Sequence, residues 1–178
     1  MKTVRYSSIL VMLLSSSIAF TSDRQCLAQT KARSNQGQVA EIIAKIDQAI
    51  VGEFQKAWRV AGLGIHEIEG VVLLYRNPDG TIKARSQGQT NQRRQFTLTL
   101  TSDVIAIVHT HPNSCPARPA GEDLEIADRL RIPVFTITNR GMYVYDPGVK
   151  KISMVRDDLD WLNAVNWVKD STVAINRQ

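Results

Sequence analysis

Apolar residues recur along this chain with a period that changes from segment to segment. A nearly solid run at residues 9–20 comes first, diluted by Ser15, Ser16 and Ser17. From Gln38 the spacing becomes three and four: Val39, Ile42, Ile43, Ile46, Ala49, Ile50, Phe54 and Trp58 predict one amphipathic helix, ended by Gly62-Leu63-Gly64. A β-branched run over residues 65–75 predicts a strand, Asn77-Pro78-Asp79-Gly80 a turn, and residues 81–86 a returning strand. After a polar loop at 87–95, residues 96–101 alternate in the β manner, and 103–108 read as a buried strand. Residues 122–131 predict a helix, 134–138 and 142–145 two strands about Asn139-Arg140-Gly141, and 151–155 a further strand. Asp157 or Asp158 caps a last helix with Leu159, Leu162, Val165 and Val168 on one side. This order predicts an α+β fold, a mostly antiparallel mixed sheet flanked by helices. There is no internal repeat.

The first run has the form of a secretory signal peptide. Lys2 and Arg5 precede it, and small residues stand at two cleavage positions, after Ala19 or after Ala28. The run is short for a membrane span, and Asp23-Arg24-Gln25 before Cys26 does not make a lipoprotein signal. The expectation is a signal peptide at 1–28, a polar linker at 29–37 and one domain at 38–178. The mature protein would be secreted or periplasmic, with no stable membrane insertion once the signal is removed.

Charge and cysteine content change the picture little. The chain of 178 residues carries a formal +5, which falls to +3 when Lys2, Arg5, Arg24 and Asp23 leave with the signal. Arg93-Arg94 is an isolated basic pair without interleaved aromatics, so a nucleic-acid partner is not expected. Cleavage after Ala28 would leave Cys115 as the sole cysteine, which excludes a disulfide framework.

The chemistry gathers at the end of the buried strand. His109 and His111 are two residues apart, so an extended chain turns both to one face, and Pro112 then stops the strand. Asp123 falls in the first turn of the following helix, where the helix dipole favours a carboxylate. Two imidazoles and a carboxylate form a candidate three-ligand metal site, and three protein ligands with an open fourth position is the catalytic zinc arrangement. Cys115, in the intervening loop, is a further conceivable ligand.

With the upstream acids included, these residues resemble the JAMM (MPN+) metalloprotease family, and compact bacterial JAB-domain members in particular. The resemblance rests on Glu67-Ile68-Glu69-Gly70, His109-Thr110-His111-Pro112 and Ala120-Gly121-Glu122-Asp123, and covers about residues 67–145. It implies the JAB/MPN (cytidine-deaminase-like) architecture, zinc held by His109, His111 and Asp123, and a water on the open position. The motif's three-residue offset before glycine makes Glu67 the implied general base, with Glu69 as the rival; His66 would face away. Two departures stand out. The family's oxyanion-binding serine falls on Ala120, so Ser114 or a backbone N–H would have to substitute. The loop is also one residue longer, and an unshifted register would put Glu122 at the ligand position instead of Asp123.

The implied activity is zinc-dependent hydrolysis of an amide bond in a peptide or protein, as a peptidase or isopeptidase. Two alternatives stand beside it: a non-catalytic metal-binding scaffold on the same fold, and a zinc amidohydrolase acting on a cell-wall component.

Overall fold

The computed structural model describes residues 37–89, 98–163 and 166. The signal-like run, the linker before residue 37, the Arg93-Arg94 pair, Val165 and Val168 lie outside them.

Strand β3 (Val104–Thr110) is buried along its whole length, because it has a strand on each edge and cover on both faces. It pairs antiparallel with β1 (Gly70–Arg76) and parallel with β4 (Val134–Thr138). The hairpin partner β2 (Ile82–Gln89) lies outside β1, while β5 (Gly141–Asp146) and β6 (Lys151–Arg156) extend the other side. The resulting six-stranded order is β2-β1-β3-β4-β5-β6. Every neighbouring pair except β3–β4 is antiparallel, so the sheet is mixed and mostly antiparallel.

Alternation of side chains divides the core in two. On one face, α1 (Gln38–Ala44), α2 (Gln48–Val60) and the turn Asp160–Leu162 cover Val72, Leu74, Ala106, Val108, Phe135, Ile137, Met142 and Val144. Phe54 of α2 meets Trp161 edge to face at 6.4 Å. Phe54 is fully buried, so truncating it to alanine would cost about 3–5 kcal/mol. On the other face, α3 (Glu122–Leu130) covers Val71, Leu73, Ile107, Val134 and Tyr145. A bulge puts Ile105 between the pairs Tyr75–Val104 and Leu74–Ala106, so Ile105 and Ala106 join the same core. From Ile107 onward regular alternation turns His109 toward α3.

Four elements differ from the expectation. The single long helix is two, because Asp47 takes extended backbone and its side chain accepts a hydrogen bond from Ile50 N at 2.9 Å, capping α2. Ile46 is buried at the break, which keeps the apolar spacing intact across it. The strand expected from residue 65 starts at Gly70; residues 65–69 belong to no strand, and Ile65 is 74% exposed. Gly70 is where α2 presses on the sheet, since a Cβ there would stand 2.3 Å from the Ala57 carbonyl oxygen. Residues 98–101 belong to no strand, although Leu98 is buried against the α3-side core. The last helix begins only as the turn Asp160–Leu162, with the Asp158 side chain accepting from Asp160 N at 2.7 Å.

α1 is tied to the sheet by charge. Glu41 accepts from Arg76 Nη1 at 2.6 Å and Nη2 at 3.0 Å, and pairs with Lys45 at 2.9 Å. The Arg76 hydrogen bonds, then that of Lys45, hold the Glu41 carboxyl down at about 2 against an ordinary 4.5. A depressed folded-state value contributes stability above 4.5 that is lost as pH falls toward 2. Glu41→Gln is therefore expected to flatten the acid limb of a melting-temperature profile in that window. At neutral pH it should cost less than about 1 kcal/mol, because both side chains keep a third or more of their surface exposed. An unchanged acid limb would show that this pair does not hold α1.

Candidate metal centre

The ladder of β3 continues one bond past the strand, from His111 N to the Ile137 carbonyl at 2.9 Å. His109 and His111 therefore stay on one face, with ring centroids 4.7 Å apart and Nε2 atoms 2.9 Å apart. Both are buried. Thr110 between them turns the other way, and its hydroxyl oxygen accepts from Gly70 N at 2.9 Å. That bond fixes the start of β1 against the histidine pair.

Asp123 arrives from α3. Gly121, at φ 53, turns the loop into the helix, and its carbonyl takes the N–H groups of Leu124 and Glu125. The carboxylate then faces both rings, Oδ1 at 3.1 Å from His109 Nε2 and Oδ2 at 3.4 Å from His111 Nε2. Oδ2 also accepts from Ala120 N at 3.0 Å. The loop is pinned over the sheet by Thr136, whose hydroxyl donates to the Ala117 carbonyl at 2.8 Å.

These three side chains could hold a metal ion, each offering one atom, with all three atoms within 4.8 Å of one another. Bonds of about 2.0–2.1 Å at tetrahedral angles set ligand atoms about 3.3 Å apart, so the observed separations need little adjustment. The outer contacts suit the same task. His111 Nδ1 lies 2.6 Å from the Pro116 carbonyl, which can only accept, so the ring proton sits on Nδ1 and leaves the Nε2 lone pair for a metal.

The three side chains bias one another's protonation. Burial alone would lower His109, but the charge and hydrogen bond of Asp123, with the charge of Glu69, raise it to about 9. Burial would raise Asp123, yet the two histidines hold it well below the usual carboxylate range. Glu122 goes up, first by burial and then by the charges of Glu125, Asp123 and Glu69. Carboxylates thus accumulate on two sides of the pair.

Of the other residues singled out from the sequence, Glu67 and Glu69 lie half-buried in the irregular stretch before β1. Glu69 is near enough for its charge to act on His109. Ser114 is exposed in the turn closed by Cys115 N and the Pro112 carbonyl at 2.9 Å. Cys115 is a half-buried free thiol, and among the described residues neither it nor Glu122 belongs to the ligand group. His66 is exposed and fills the space where Gly62 would carry a side chain. The Pro116 carbonyl and the Thr110 hydroxyl had no sequence signal as supports, since one is backbone and the other a common residue in a strand. No family model matches the chain, and comparison with curated proteins and with solved structures likewise finds no match.

A metal entering this site must displace the proton that His109 shares with Asp123. Calorimetric titration of the metal-free protein with zinc, in buffers of different ionisation enthalpy, should therefore show about one proton released per ion near neutral pH. Affinity is expected to rise as pH climbs from 6.5 to 9. A flat profile over that range would rule out His109 as the proton-bearing ligand.

Proposed function

We propose that this chain is an exported zinc-dependent peptidase or isopeptidase with the JAB/MPN architecture. The observation that carries the reading is the convergence of His109, His111 and Asp123, buried, at the end of one strand and the start of the helix that follows it. Zinc bound there would lower the pKa of a water and polarise the scissile carbonyl of a peptide or protein substrate. The Pro116 carbonyl orients His111, the Ala120 N–H orients Asp123, and the dry strand end keeps competing water from the ligands. Glu67 takes the proton of the attacking water and passes it to the leaving amine. Glu69 is the alternative for this role, supported by the reach of its charge to His109.

Ala120 supports a second reading, a metal-binding module without turnover. It has no hydroxyl, and its N–H is already given to Asp123. A substitute donor, Ser114 or another backbone N–H, would have to meet the oxyanion.

Purified zinc-loaded protein, assayed on a panel of peptides, separates these readings. Glu67→Gln is expected to abolish cleavage while zinc content stays unchanged; loss in Glu69→Gln instead would move the base by two residues. Equal cleavage by native protein and both variants would sink the proton-transfer mechanism.

An added hydroxyl tests the oxyanion side. One donor is worth about a hundred- to a thousandfold in turnover, so Ala120→Ser should raise kcat toward that range with KM little changed. Unchanged hydrolysis would mean that a donor is already in place.

A further inference from the structure

The connection between α2 and β1 carries a feature that the metal centre does not use. Gly62, Leu63 and Gly64 all adopt left-handed backbone, at φ 67, 56 and 73. Glycine does so freely; a leucine does not. The turn holds Leu63 at 49% exposure and Ile65 at 74%, next to Val60 at 43%. These three sit within six consecutive residues, so the apolar surface is grouped rather than scattered.

The turn is fixed to the metal-bearing loop. Asn113 N donates to the Gly64 carbonyl at 2.8 Å, and Asn113 stands two residues beyond His111. Gly64 has no room for a side chain: a Cβ would come within 2.5 Å of Asn113 Oδ1 and 2.7 Å of Trp58 Cη2. The exposed leucine and isoleucine therefore form a ledge held at the rim of the histidine loop. Around the same centre, Glu122 and Glu125 stand in the first turn of α3, and Glu69 immediately precedes Gly70, whose N–H meets Thr110 between the histidines.

We infer that the Leu63–Ile65 ledge docks a polypeptide segment bearing a large apolar side chain with a lysine or arginine close to it. The apolar side chain covers the ledge, and the cation answers the carboxylates Glu69, Glu122 and Glu125. An anionic lipid surface would meet the apolar residues but be repelled by those carboxylates. The inference rests on the peptidase reading in making this segment the substrate, but the docking itself needs no turnover.

Binding of short fluorescent peptides to the full chain, followed by anisotropy with zinc content measured in parallel, tests it. Three peptides serve: leucine with lysine, serine with lysine, and leucine with glutamate. The leucine–lysine peptide should bind tightest. The double variant Leu63→Asn/Ile65→Ser should weaken it about tenfold with zinc content unchanged. Its melting temperature should not fall, because asparagine accepts left-handed backbone. The inference is overturned if native and double variant bind alike, if either other peptide binds as well, or if none binds. It is also overturned if the native chain self-associates through the ledge and the double variant does not. Tight binding of the leucine–lysine peptide without cleavage of any peptide would instead overturn the peptidase reading and leave the docking surface standing.

Discussion

Asp123 meets the two histidines because β3 and β4 run parallel. A parallel pair cannot be joined by a hairpin; the chain must cross back over the sheet, and here α3 makes the crossing. The start of that helix then falls beside the carboxyl end of β3, where open α/β units place their ligands. Had the pair been antiparallel, a tight turn would have replaced the loop and helix, and the histidines would have had no carboxylate above them. The other pairings are antiparallel, so the geometry of the histidine–aspartate group depends on the one pairing that is not.

The crossing alone does not set the rings. Thr110, between the histidines, faces β1 and takes the Gly70 N–H, while Thr136 on the neighbouring strand fixes the loop at Ala117. Pro116 then holds the His111 ring through Nδ1. Thr110 is adjacent to both histidines and Thr136 is paired with His109 across the sheet, whereas Pro116 belongs to the loop that follows them. The cost of collecting acids around a buried site is offset by the same arrangement, since Asp123 and Glu69 favour the protonated form of His109 against its burial.

Much of this was legible in the residues, and the failures have physical causes. β4 is legible to its ends because Val134-Phe135-Thr136-Ile137-Thr138 is a run of β-branched and aromatic residues bounded by Pro133 and Asn139. The histidine pair and Asp123 could be placed because alternation and the first helical turn are local rules. The break before α2 was invisible to periodicity, since Ile42, Ile46 and Ile50 keep a four-residue step through it; the Asp47 cap was its only mark. Residues 65–69 look β-forming, yet Gly62 and Gly64 turn the chain so that Ile65 ends in solvent. Propensity reports what a residue favours, and here the ladder with the neighbouring strands begins only at Gly70. The backbone carbonyl behind His111 belongs to no residue pattern at all.

Ala120 brings these strands of reasoning together. Its N–H is engaged by Asp123 Oδ2, so this loop donor positions the candidate ligand. A hydroxyl at this position would add a donor without disturbing that bond, because the backbone N–H would remain with the carboxylate. Holding the ligand and stabilising developing charge are therefore separate demands on one residue, and alanine meets the first alone. The three side chains that could hold a metal are all in place, whereas under the proposed function the rate of hydrolysis would depend on a donor from elsewhere on the loop or from the substrate's own pose.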